Sequence, residues 1–187
     1  MCKVPIIFVF LSWLMIPAHA DEPKTLNDAI WTVSTDPTKP LLKISTSGMD
    51  GTRRSALLYG DGRLQLEHNY YGNWEQQLST EEIHAIISIA VTHGLAEWDS
   101  ETILARQVHK YGSPFPGVDG LYVGILLSLE SYERGSYKPS GPLSRSFGVR
   151  SPRSAAKHFP DWPEYPGIEK LVKWLRDRIE AARKADK

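Results

Sequence analysis

The chain has 187 residues, with 22 Lys and Arg against 22 Asp and Glu and a formal net charge of zero. Hydrophobic residues make up 41% and charged residues 24%, which excludes a collagen-like, disulfide-rich or wholly disordered chain and a polytopic membrane protein. Neutrality removes the simplest argument for a nucleic-acid partner, and the length fits one domain around one core.

The N-terminus predicts an export signal. Lys3 supplies positive charge, Val4 to Ile16 supply an apolar run too short to span a bilayer comfortably, and Ala18-His19-Ala20 fits a small-x-small cleavage site. The mature chain is then expected to begin at Asp21 and to lack a membrane span. Cys2, the only cysteine, lies inside the signal, whereas a bacterial lipoprotein cysteine follows the apolar run. A mature chain without thiols has no disulfide, no thiolate nucleophile and no cysteine metal ligand, which points to a bacterial periplasmic or secreted protein.

Residues 21–40, with Pro23, Pro37 and Pro40 and little periodicity, predict an arm or linker in which Leu26 to Val33 docks loosely. The remaining residues, 41–187, predict a single domain. Leu41 to Thr46 predicts a strand, followed by the turn Ser47-Gly48-Met49-Asp50-Gly51. Ser55, Leu57 and Tyr59 alternate with Ala56 and Leu58, and Gly60-Asp61-Gly62 returns the chain through Leu64 and Leu66, a hairpin signal. Asn69-Tyr70-Tyr71-Gly72-Asn73-Trp74 reads as an aromatic loop or strand end. Ser79-Thr80-Glu81-Glu82 is a capping box that opens a helix to about His93, with Gly94 closing it.

Glu97, Asp99 and Glu101 are expected on a connection, and Tyr111 to Gly117 in a turn-rich loop. Val123, Ile125, Leu127 and Leu129 alternate as a strand, with Leu143 to Val149 as its partner. Four prolines make residues 150–167 irregular. A last helix starts near Pro166 or Gly167 with Ile168, Leu171, Val172, Leu175, Ile179 and Ala182 on one stripe. The order predicts an α+β fold, a mostly antiparallel sheet with two main helices packed on one face.

Catalytic signatures are sparse. The five histidines after the signal (68, 84, 93, 109 and 158) form no H-E-x-x-H and no pair three to five residues apart, so no metal site and no cofactor are expected. No G-x-S-x-G elbow or phosphate-binding glycine pattern occurs. Ser154-Ala155-Ala156-Lys157 matches S-x-x-K without the companion motifs of penicillin-recognising enzymes, and reads as a solvated turn. A small envelope hydrolase would need Glu97 or Asp99 to converge with His93 or His109 in a cleft.

Binding signatures are stronger. Tyr70, Tyr71 and Trp74 stand among amide side chains able to grip sugar rings or a protein, unless they simply pack under their own loop. Charge is also unevenly spread. Residues 21–130 carry 8 basic and 15 acidic groups, residues 131–160 carry 6 and 1, and residues 161–187 carry 7 and 6. Arg134, Lys138, Arg145, Arg150, Arg153 and Lys157 thus form a serine-rich basic segment suited to an anionic envelope polymer or an acidic exported protein, or merely solvated.

The stretch from Leu41 to Trp98, with its strand, the Ser47–Gly51 turn, the hairpin and Leu78-Ser79-Thr80-Glu81-Glu82 opening a helix, resembles the small emfourin-like domains. It is similar too to uncharacterised exported bacterial domains of that pattern. Emfourin inhibits a thermolysin-like metalloprotease, so the resemblance implies a non-enzymatic fold. The family's paired glycines and following alanine-glycine are here Gly48-Met49 and Asp50-Gly51, a long second half is added, and no inhibitory residue carries over. The function expected is an exported, non-catalytic binding module. Its candidate binding residues are Asp50, Arg53, Arg54, Tyr70, Tyr71, Trp74, Arg145, Arg150 and Arg153, with the hydrolase as the alternative.

Overall fold

The computed structural model describes residues 28–112 and 120–186. The expected export signal, the start of the arm and most of the Tyr111–Gly117 loop lie outside the described residues.

Period-two alternation builds the sheet. In β2 (Pro40–Ser47), Leu42, Ile44 and Thr46 point into the core, while Lys43, Ser45 and Ser47 point away. β3 (Arg53–Tyr59) and β4 (Arg63–His68) form the expected hairpin, and β5 (Gly72–Gln77) continues the meander. β6 (Tyr122–Leu129) and β8 (Leu143–Arg150) complete one antiparallel sheet of order β5-β4-β3-β2-β6-β8. β1 (Ile30–Thr32), within the expected arm, pairs instead with β7 (Ser131–Glu133) in a two-stranded ribbon.

Cross-strand register stacks the apolar residues. Leu42 opposes Leu58 and Leu127, and Ile44 opposes Ala56 and Ile125. A slip of one residue would turn this set to water.

The inward face is covered by α1 (Thr80–Thr92) and α4 (Glu164–Ala185), which pack on each other, α4 lying over β2, β3 and β4. Ser79 and Glu82 form the capping box at the start of α1. Its end is followed by Gly94 in the left-handed region at φ 76°, a conformation that glycine adopts without Cβ strain. The fold is α+β, with an antiparallel sheet and its two main helices on one face.

Two helices were not expected from the sequence. α2 (Ser100–Tyr111) follows a 3-10 turn at Leu95–Glu97, and its N-cap Asp99 accepts the Thr102 N–H at 2.7 Å. Of its side chains, Ile103 is buried while Leu104 and Val108 remain exposed, so its apolar stripe is too short to register as periodic. α3 (Pro152–His158) starts with Pro152 in its first turn, where a missing N–H costs nothing. α4 likewise begins before its expected start and carries Pro166 within its first turn.

Candidate functional site

Two of the expected binding elements are joined. Asn69 bridges them: its side-chain oxygen accepts the Arg53 N–H at 2.9 Å, and its amide nitrogen donates to the Gly51 carbonyl at 3.0 Å. Asp50 is occupied locally, accepting the Thr52 N–H at 2.9 Å and the Thr52 hydroxyl at 2.8 Å. Those bonds, the backbone one first, hold its carboxyl below the usual range. Arg53 is exposed, whereas Arg54 is half-buried at a register position between Thr46 and His68.

The aromatic cluster closes against the C-terminal end of α4. Trp74, half-buried, donates its indole N–H to Asp186 at 3.0 Å, and the Arg183 guanidinium lies over the Tyr71 ring, 4.8 Å from its centroid. His68 stacks on Tyr71 at 4.2 Å and accepts the Tyr70 N–H on Nδ1 at 3.1 Å. Tyr70 and Tyr71 stay exposed at their outer edges.

Burial, then the nearby charges of Arg54 and Arg183, push the His68 imidazole below its ordinary value of 6.5. As pH falls through about 6.5 the unfolded chain therefore takes up a proton that folded His68 refuses. Stability is expected to fall across that window, with His93, lowered mainly by burial, adding to the decline. His68→Gln should flatten the fall in urea midpoint between about pH 7 and about pH 5; an unchanged slope would count against this account.

The basic segment does not form one surface. Arg145 donates to the Ala96 carbonyl at 3.2 Å and pairs closely with the Tyr137 hydroxyl. Arg153 is exposed on α3, and Arg150 is exposed at the end of β8.

Of the carboxylates and histidines considered for catalysis, Glu97, Asp99 and His93 have structural partners. Glu97 accepts from the Tyr132 hydroxyl at 2.7 Å and from Arg134 at 3.0 Å. Burial and that carboxylate push the Tyr132 phenol up. Asp99 caps α2. His93 meets the Ile89 carbonyl through Nδ1 at 2.8 Å and Lys170 through Nε2 at 3.1 Å, and His109 is exposed on α2. Among the described residues no three His, Cys, Asp or Glu side chains gather as a metal-binding group. No described helix is long and apolar enough to cross a membrane.

The larger feature is the sheet face turned away from α1 and α4. Register aligns Asn73, Glu67, Ser55, Ser45, Gly124 and Gly148 in one row across all six strands. At about 4.8 Å between strands the row is about 24 Å long. Small residues make it a trough. One bank is Glu75, Gln65, Leu57, Lys43, Leu126 and Ser146; the other includes Arg53, Ser47, Tyr122 and Arg150. Three depressions of about 570, 490 and 460 Å³ run into one another along it, sharing Lys43.

The two glycines shape its floor. A Cβ on Gly148 would collide with the Tyr122 hydroxyl, so the Tyr122 ring is able to lie across that glycine while remaining 46% exposed. A Cβ on Gly124 would stand 2.7 Å from the Ser45 hydroxyl, which donates to the Gly124 carbonyl at 3.4 Å. Glycines covered by a cross-strand aromatic are a recognised device for holding register. Next to Ser45, the Ser55 hydroxyl donates to Glu67 at 3.1 Å. Ser100, the first residue of α2, stands at the β8 end.

Of the expected binding residues, Arg53 and Arg150 lie on this face. Their companions Lys43, Ser45, Glu67 and Tyr122 were missed. The available signal was the period-two spacing of small residues in Ile44-Ser45-Thr46-Ser47 and Ser146-Phe147-Gly148. The chain is thus a two-layer α+β protein with one face sealed by helices and the other a polar trough. No protein-family model matches it, and none of the curated proteins does.

Proposed function

We propose that this protein is an exported, non-catalytic binding module that receives an extended partner along the trough. The observation that carries this reading is the row of small and polar residues from Asn73 to Gly148 crossing every strand of the main sheet. The solvated face of an antiparallel sheet carries the polar residues of the alternation, whatever their size. Here the centre is Ser55, Ser45, Gly124 and Gly148, so a ligand would sit low between the two banks, on the serine hydroxyls and on the Tyr122 ring that lies across Gly148. The engagement of Glu97 by Tyr132 and Arg134, and of Asp99 as a helix cap, supports a role without catalysis.

Ser45→Trp tests the reading by filling the trough at its middle without touching the core. Immobilised wild-type and variant chains would be exposed to cell-envelope extract, and the retained polymer and protein fractions compared. Retention by the variant is expected to drop at least about tenfold, equivalent to about 1.4 kcal/mol. Equal retention by two chains with matching circular dichroism and urea midpoints would overturn the reading. Ser55→Arg, filling the same row one strand away, serves if Ser45→Trp fails to fold.

A further inference from the structure

Resting on that reading, we infer that the trough's ligand is an acidic glycan, in which sugars bearing carboxylates alternate with neutral, hydroxyl-rich ones. The trough is electrically divided. On its β2, β3, β6 and β8 side the outward positions include Lys43, Arg53 and Arg150, and none of them is acidic. Row for row, the backbone positions of Arg53 and Arg150 flank those of Ser47 and Tyr122, about three strand spacings apart, with Arg53 beside the middle of the trough and Arg150 at its β8 end, where the hollow continues toward α2. Lys43 faces them from the opposite bank. Guanidinium groups match carboxylates in a planar, two-bonded geometry, and the low surface there is lined with the hydroxyls of Ser45 and Ser55 and the ring of Tyr122.

The β4 and β5 side differs. Glu67, Glu75, Gln65 and Asn73 line it, a set that accepts hydrogen bonds from hydroxyls and repels anions. A polymer charged at every unit would meet favourable groups at one end and like charge at the other. A chain with neutral sugars between acidic ones meets its complement at both. Tyr122 supplies the remaining element of sugar recognition. One side of its ring lies across Gly148, leaving an exposed flat surface on which the apolar side of a sugar ring would rest. An acidic peptide would satisfy the arginines but would leave that platform without a purpose and would meet like charge at Glu67 and Glu75.

The test uses the mature chain and three probes in calorimetric titrations at low salt. These are a hexasaccharide of alternating glucuronate and N-acetylglucosamine, its carboxyl-reduced neutral form, and inorganic polyphosphate of matching length. The glucuronate form is expected to bind at least about tenfold more tightly than the reduced form, and to weaken as salt rises. Arg53→Ala combined with Arg150→Ala should bring the two sugars to similar affinities, whereas Tyr122→Ala should weaken both. Polyphosphate binding as tight as the sugar, and indifferent to Tyr122→Ala, would overturn the glycan and leave only an anion site. Absence of glucuronate binding, while envelope material is still lost on Ser45→Trp, would overturn the ligand class and leave the trough standing. If Ser45→Trp loses nothing, the binding-module reading itself falls.

Discussion

Trp98→Ala is expected to lower the free energy of unfolding by about 3–5 kcal/mol, the range for truncating a large buried aromatic. Trp98 is 1% exposed, and it packs edge-on against Phe147 of β8 at 5.7 Å and Tyr165 of α4 at 5.2 Å. It therefore ties the 3-10 turn before α2 to both layers of the fold. Trp98→Phe separates the volume from the polar atom. The indole Nε1 is buried without a hydrogen-bond partner among the described residues, and an orphaned donor costs about 1–3 kcal/mol. Phenylalanine removes that penalty while leaving a smaller void, so its net loss should be about 1–2 kcal/mol. Urea denaturation of both variants gives the answer. A loss below about 1 kcal/mol for Trp98→Ala would show that the layers do not depend on this contact.

The elements legible in the sequence are those whose signal is local. The Gly60-Asp61-Gly62 turn, the alternation from Val123 to Leu129, the Ser79–Glu82 box and the α4 stripe each carry their own geometry within a few residues. α2 was illegible for the opposite reason. Its polar residues outnumber its buried ones, and its anchors, Glu164 and Tyr165, lie 58 residues away in the chain. The ribbon of β1 and β7 is a similar case, since Trp31 opposes Tyr132 and stacks on His84 at 4.3 Å, neither contact being sequence-local.

The trough was half visible. Outward-facing serines and glycines are evident in β2, β3, β6 and β8 once alternation is assigned, and Arg53 stood out beside the Gly48–Arg54 turn and Arg150 within the basic 131–160 segment. What no single strand shows is that these positions come into line. Register between β2 and β6 depends on a loop of more than seventy residues closing correctly, driven by the opposing core pairs Ile44–Ile125 and Leu42–Leu127. The hydrophobic face thus sets the alignment of the polar one. The aromatic loop is the converse case. Tyr70, Tyr71 and Trp74 look equivalent in sequence, yet Trp74 is drawn to Asp186, Tyr71 is shared between His68 and Arg183, and Tyr70 has the most exposed ring of the three.

Arg106→Ala should cost about 2–3 kcal/mol, far more than an ordinary surface ion pair. The Glu164 side chain is only 10% exposed; its Oε1 accepts from Arg106 at 2.9 Å, and its Oε2 is buried with no partner among the described residues. Removing the guanidinium leaves a carboxylate in a poorly solvated site, and also removes a cation stacked 4.4 Å from the Trp162 ring centroid. A fully buried pair would lose about 3–5 kcal/mol, but the Arg106 side chain is 42% exposed, so water screens part of the effect. The double variant with Glu164→Gln tests the cause, because it removes the stranded charge. It should recover about 1 kcal/mol relative to Arg106→Ala alone, giving a coupling that simple additivity lacks. By contrast, breaking the exposed Lys138–Glu133 pair should change stability by less than about 0.5 kcal/mol. The consequence for structure is local. α2 is held by buried Ile103, by this pair and by the Gln107 amide donating to the Tyr165 hydroxyl at 2.9 Å. Hydrogen exchange in Arg106→Ala should therefore quicken at α2 amides before those of α1, whose capping box and buried isoleucines are untouched. Equal acceleration in both helices, or an additive cycle, would show that Glu164 does not depend on Arg106 to be tolerated inside the fold.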